Sequence, residues 1–228
     1  MDMELKKSLP EKNRLYIFLI LMFAGGYMGG FTYTIRGGVF CNAQTGNLLK
    51  VGIFLGQGHF ADILPYVWSL AAYMFGAVLS ERLLKKKWAG SISWEASLVG
   101  LEALWCAVLA FLPESAPLAV TQISVNIMAS MQYNTFRQAD NISMATTFCT
   151  GHVKNMSVAL QKWAFEKNAQ AGKTALKHLS ILFSFIIGAA AASYISPRVM
   201  GKSILVVTVI LALVFMDLVK YDRAHRGE

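Results

Sequence analysis

LYIFLILMFAGGYMGGFTYTI, residues 15–35, carries no Asp, Glu, Lys or Arg over its 21 residues. At about 1.5 Å of rise per residue such a helix reaches about 30 Å, the hydrocarbon thickness of a bilayer. Basic residues precede it at Lys6, Lys7, Lys12 and Arg14. The apolar run is longer than that of a cleaved leader and no clear cleavage pattern follows, so it reads as a retained first span. Gly25, Gly26, Gly29 and Gly30 form two overlapping GxxxG spacings. Two readings are open: close approach of another helix, or a kink.

Further blank stretches follow. Pro65 to Ser80 is uncharged and stops at Glu81, Arg82 and the run Lys85, Lys86, Lys87, with Trp88 and Trp94 at interfacial positions. Ala96 to Leu112 and Leu118 to Phe136 flank a turn bracketed by Pro113 and Pro117. Leu179 to Ser196, closed by Pro197, and Ser203 to Val219 complete the set. The expectation is an all-α polytopic membrane protein with six transmembrane helices, folded as one membrane domain over 1–228. Residues 154–177 read as an amphipathic, basic cytoplasmic loop helix.

Composition agrees. Of 228 residues 55% are hydrophobic and only 15% charged, against roughly a quarter charged in a soluble domain; mean hydropathy is +0.47. The net charge of +8 in a soluble protein would point to nucleic acid. Here the basic residues lie between apolar blocks, where they meet lipid head groups, so no nucleic-acid partner is expected. With both termini cytoplasmic, seventeen of the 21 Lys and Arg fall on the inner side and only Arg36, Lys50, Arg198 and Lys202 outside, as the positive-inside rule requires. The expected topology is therefore multi-pass with both termini cytoplasmic. Membrane lipids and a small solute are the expected partners, and a homodimer is a candidate assembly.

Between the first two spans lies RGGVFCNAQTGNLLKVGIFLGQG, residues 36–58, apolar but interrupted. It reads as a half-helix or re-entrant segment starting near Thr45, tolerated at membrane depth only if protein shields it. Thr45-Gly46-Asn47-Leu48 returns in weakened form as Thr150-Gly151-His152-Val153, 105 residues later. Phe40-Cys41 precedes the first and Phe148-Cys149 the second. Each TG segment follows one span and precedes two, which suggests repeat units 15–112 and 118–220. Three spans per unit is odd, so the second unit is inverted, a plan recurrent in secondary transporters.

These motifs carry a resemblance. GGVFCNAQTGNLLKVG at 37–52, the glycine-rich first span and MQYNTFRQADNISMATTFCTGHV at 131–153 resemble the YoaK-like family of small bacterial membrane proteins, a domain of unknown function. The resemblance covers about residues 15–220 and implies a six-span inner-membrane protein of undetermined activity. Members often carry an acid in the first span, near the place where this chain has Tyr27-Met28-Gly29. A first-span proton carrier therefore does not transfer to this chain.

Asn42, Gln44, Thr45, Gly46 and Asn47 are the leading substrate-binding candidates. Amides and a hydroxyl offer donors and acceptors without charge, and a helix starting near Thr45 exposes free N–H groups. The plainer alternative is an N-cap with helix-to-helix bonds. Thr150, Gly151 and His152 form the counterpart; His152 titrates near neutral pH or simply caps. Gln122, Asn126, Gln132 and Asn134 load one span with amides that must face the bundle, either as inter-helix adhesion or as a polar path. Glu102 is the acid deep in a span, a proton-coupling candidate by default; a structural hydrogen bond or snorkelling would also account for it.

No HExxH, GxSxG, P-loop or GxGxxG context appears. Cys41, Cys106 and Cys149 show no CxxC and read as packing residues. No cofactor, metal or catalytic residue is expected. The leading functional reading is a small-solute secondary transporter or permease of unknown substrate. A structural or accessory subunit of a membrane complex is the alternative, and an intramembrane or lipid-modifying enzyme comes third.

Overall fold

The computed structural model describes residues 11–85, 92–139, 142–143 and 149–224. Lys6, Lys7, Lys86, Lys87, Trp88, Asp140 and Phe148 lie outside the described residues. The chain forms helices α1 (Glu11–Ile35), α2 (Gln44–Gln57), α3 (Leu64–Leu84), α4 (Trp94–Ala110), α5 (Leu118–Thr135), α6 (Thr150–Phe165), α7 (Ala169–Val199) and α8 (Leu205–Ala224). A 3-10 turn at Phe60–Ile63 leads into α3, and another at Met200–Ile204 joins α7 to α8. Strands β1 (Gln138–Ala139) and β2 (Ile142–Ser143) make a two-residue antiparallel hairpin.

Three stretches are long and apolar enough to cross a bilayer: Leu15–Ile35, Phe60–Leu84 and Ala169–Ala224, the last containing both α7 and α8. Helix α4 shows why the medium is lipid. Its outward face carries Leu101, Leu104, Trp105 and Val108, all exposed, while the carboxyl of Glu102 points inward at 1% exposure. A water-soluble helix arranges these the other way round. The protein is an all-α polytopic membrane protein.

Helix α1 is the central one. Two thirds (67%) of its most apolar window is buried, against 28% and 33% for the other two stretches. It packs chiefly on α7, while α5 packs chiefly on α3 and α4 on α8. The first two pairs run parallel. Along α1 and α7, Leu19 meets Ser184, Gly26 meets Phe185 and Gly30 meets Ala189. Along α3 and α5, Trp68 meets Gln122, Gly76 meets Ile127 and Ser80 meets Asn134. Helices α4 and α8 run antiparallel, with Asp222 near the end of α8 accepting from the N–H of Ser93 (2.7 Å) just before α4.

Glycine sets these crossings. A Cβ on Gly26 or Gly188 would strike the backbone carbonyl of Phe185 or Phe23, and one on Gly76 would lie 2.6 Å from the carbonyl of Ile127. The glycines of α1 therefore serve close approach, and α1 runs unbroken through them. Helix α7 starts ten residues before the apolar run at Leu179, and Pro197 sits inside its last turn. The stretch 154–177 is not one helix. Lys167 adopts φ +53°, Asn168 caps α7 through the N–H of Ala171 (3.1 Å), and Trp163 folds back onto Gly172. The break turns the segment into a hairpin of α6 on α7.

Gly188→Ala and Gly76→Ala should each cost about 1–3 kcal/mol through forced separation of their helix pairs. Gly52→Ala, in α2 with open space around it, should gain about 0.5–1 kcal/mol. Thermal unfolding of the purified protein in detergent reads all three.

Candidate functional site: a buried amide belt at a helix break

After Ile35 the chain reverses. Gly37 and Gly38 take φ +84° and +70°, a left-handed backbone that glycine adopts without strain. The return leg runs back along α1, and the side chain of Asn42 donates to the carbonyl of Gly25 at 3.1 Å. Gly25 lies about 15 Å below the end of α1, by helical rise. From there α2 starts at Gln44 and climbs outward until Phe54 meets Tyr66 at the start of α3 (5.8 Å between rings).

Buried backbone at such a reversal needs partners, and amides supply them. Asn47 donates to the carbonyl of Phe40 (2.7 Å) and accepts from the N–H of the same residue (3.1 Å). It also donates to the side-chain oxygen of Gln44 (3.0 Å). Gln44 in turn donates to Asn126 on α5 (2.8 Å). Asn126 donates to the carbonyl of Gln122 (2.8 Å), and Gln122 donates to the carbonyl of Arg36 (2.8 Å) while accepting from the indole of Trp68 on α3 (3.1 Å). Asn42, Gln44, Asn47, Gln122 and Asn126 are all buried. Gly46 lies under the Phe40 ring, which a Cβ would approach to 2.9 Å. Thr45 points outward, exposed.

The remaining candidates lie elsewhere. Asn134 sits at the far end of α5, donating to Ser80 (2.8 Å) and accepting from Arg137, which also reaches Glu81 (2.6 Å). Gln132 donates weakly to the carbonyl of Leu21 (3.4 Å), and its own oxygen has no partner among the described residues. Thr150 and Gly151 are exposed at the start of α6. His152 is buried, its Nδ1 2.9 Å from Nδ1 of His178 on α7, so one ring donates and the other accepts. Glu102 lies mid-helix in α4, both carboxyl oxygens without a hydrogen-bond partner among the described residues.

Three participants escaped the sequence reading. In the sequence Trp68 reads as an interfacial anchor or a packing aromatic, and His178 as one of four scattered histidines. Arg36 reads as an interface marker, yet it is 5% exposed. It pairs with Glu114 of the α4–α5 turn at 2.8 Å and lies over the Phe31 ring. Glu114 also accepts from the N–H of Gly201 (2.8 Å). The Arg36 hydrogen bond, then that N–H, hold the Glu114 carboxyl below its ordinary range.

The belt offers neutral donors and acceptors, most of them bonded to one another or to buried backbone. Among the described residues no three His, Cys, Asp or Glu converge on a metal position. Against known proteins, the family model described as "Protein of unknown function (DUF1275)" matches residues 17–216. No curated protein and no solved structure matches the chain.

Asn47→Ala should cost about 1–3 kcal/mol, since it strands both polar groups of Phe40 in the interior. Thr45→Ala, two residues away in the same motif, should stay within about 0.5 kcal/mol. Thermal unfolding separates the two. A second prediction concerns pH. The folded-state pKa of Glu114 is depressed, so its pairing is present above the unfolded value of about 4.3 and is lost as pH falls through the lower folded value. Wild type should be more stable than Glu114→Gln at neutral pH, and the gap should close in acid; unfolding temperatures measured across pH check it.

Proposed function

The chain belongs to the DUF1275 family, whose description assigns no activity, and from the geometry we propose a secondary transporter, or permease, for a small polar solute. The observation that carries this reading is the exchange of partners between halves. Helix α1 of the first half packs parallel on α7 of the second, as α5 of the second packs parallel on α3 of the first. Gly188 against the carbonyl of Phe23 has its counterpart in Gly76 against the carbonyl of Ile127. Both TG motifs open short helices, α2 and α6.

In this reading α1, α3, α4, α5, α7 and α8 are six spans, units 15–112 and 118–220 are inverted copies, and α2 and α6 are half-helices entering from opposite faces. Both termini are cytoplasmic, in a bacterial inner membrane. Such a plan places solute sites where broken helices meet. The Gln44–Asn126 bond joins the two units, and a solute with its own donors and acceptors would replace it. Asn42, Gly46, Asn47, Gln122 and Asn126 line the route beside that bond, with Thr150, Gly151 and His152 opening the short helix of the other half; Thr45 and Asn134 stand off it. Glu102 carries the coupled proton. No sequence feature names the solute.

A second reading, an accessory subunit of a membrane complex, draws on the closure of the amide belt upon itself, which is what a static scaffold would also have.

A thermal-shift screen of the purified protein against solutes tests the transport reading. A bound solute at a hundredfold its Kd adds about 2.7 kcal/mol of stability. Gln44→Ala should abolish the shift. Glu102→Gln should keep it but remove pH-driven uptake into proteoliposomes. No shift with any solute, together with stoichiometric co-purification of a larger membrane protein, would replace transport by the accessory role.

A further inference from the structure

Away from the belt, a groove of about 520 Å³ runs between α1, α7 and α8. Leu19, Ile20 and Phe23 of α1 face Ile210, Leu213 and Val214 of α8 across it. Leu213 is 57% exposed, so the groove opens on the surface of the bundle. In a membrane protein that surface meets hydrocarbon. A concave apolar wall left unfilled forfeits dispersion contacts along its whole length, and the neighbouring medium supplies acyl chains of matching chemistry.

One end of the groove is polar. Tyr16, near the start of α1, donates its hydroxyl to the carboxylate of Asp217, near the end of α8. Asp217 stands five residues before Asp222, whose carboxylate accepts from the N–H of Ser93 just before α4, so it lies about 7.5 Å further in along α8. Both groups thus lie toward the ends of their helices, Tyr16 five residues into α1 and Asp217 seven residues before the end of α8, and a polar end with an aromatic hydroxyl suits a lipid head group. The phenol gives Asp217 one hydrogen bond and no countercharge. Among the described side chains, which do not include those of Lys12 and Arg14, no cation is paired with it within 4 Å. Lys220 is exposed and three residues further along α8, hence on the same flank of the helix.

We propose that this groove is a lipid site which seats one acyl chain of a phospholipid bearing a primary-amine head group. The ammonium sits at Asp217, as a charge-assisted hydrogen bond, the phosphate near Lys220, and the chain along Leu19, Phe23 and Leu213. The site is separate from the amide belt, and it stands whether or not the protein transports a solute.

Native mass spectrometry of the full chain tests this, after reconstitution in bilayers of equal parts amine-headed, choline-headed and glycerol-headed lipid with identical acyl chains. The expected result is about tenfold enrichment of the amine-headed adduct, the ratio one additional charge-assisted hydrogen bond can supply. Asp217→Asn should bring the amine and choline adducts to parity. Leu213→Trp, at an exposed position that tolerates bulk, should fill the groove and remove the tightly held adduct, with an unchanged unfolding temperature showing that the fold survives. Equal retention of all three lipids by wild type would overturn the proposal. So would enrichment that persists in Asp217→Asn, an adduct that persists in Leu213→Trp, or Leu213→Cys crosslinking between two copies, which would assign the groove to a dimer interface.

Discussion

Asn47 holds the N–H and the carbonyl of Phe40 together, and the architecture around α1 depends on that grip. A backbone that reverses among packed helices has little water to satisfy it, and each stranded group is costly. The chain meets this demand with uncharged amides. Asn47 closes the loop on itself, Asn42 ties the loop to mid-α1, and Gln122 ties the exit of α1 to α5. With those bonds made, Gly37 and Gly38 can turn the chain sharply and α2 can start inside the bundle. Without them the segment would have to straighten or leave the bundle. Thr45, the most conspicuous hydroxyl of the motif, takes no part and stays exposed.

The same logic explains why α1 is so rich in glycine. Each glycine of its central turns meets a backbone or an amide rather than a side-chain socket. Gly26 and Gly30 admit α7, while Gly29 leaves 3.1 Å between a built Cβ and the Asn42 amide. Lipid provides little hydrophobic drive for helix association, so close backbone packing and inter-helix hydrogen bonds supply it. One helix thus serves two contacts, a parallel partner along one side and the returning loop along another. Any side chain added at Gly26 would separate α1 from α7; at Gly29 it would press on the amide that anchors the loop.

The sequence made the membrane class and the helix order legible because both depend on long uncharged runs. It also located the start of α2 within a residue of Thr45, since a TG pair after a Gly-rich break is a local signal. What it could not supply was pairing. Gln122 and Asn126 are four apart and plainly share a face, but nothing local indicates that Gln44 and Trp68 are their partners. Likewise 154–177 has one amphipathic pattern, and the break at Lys167–Asn168 arises from a left-handed residue and a cap that the pattern does not register. That break brings His178 back to His152. The separation of Asn134 from Asn126 has the same origin. Both lie on α5, two turns apart, but Asn126 bonds Gln44 of α2 while Asn134 bonds Ser80 of α3.

The treatment of charge and of neutral polarity differs sharply across the bundle. Arg36, at the end of α1, is buried but paired with Glu114, and that pair is braced by Gly201 at the α7–α8 junction. Glu81 and Arg137 form the corresponding ionic contact at the other end of the α3–α5 pair. Ion pairs therefore occupy the ends of the helix pairs, where partial hydration limits their desolvation cost. Between them the polar groups of the interior are amides, hydroxyls and imidazoles, nearly all of which bond one another or the backbone. Glu102 breaks that order. It is an ionisable group at mid-helix whose two oxygens find no partner among the described residues, in a chain that pairs Asn47 three times. A buried polar group without a partner costs the fold stability. Under the transport reading proposed above, proton exchange at Glu102 is the gain that offsets this cost; a structural amide at the same position would offer none.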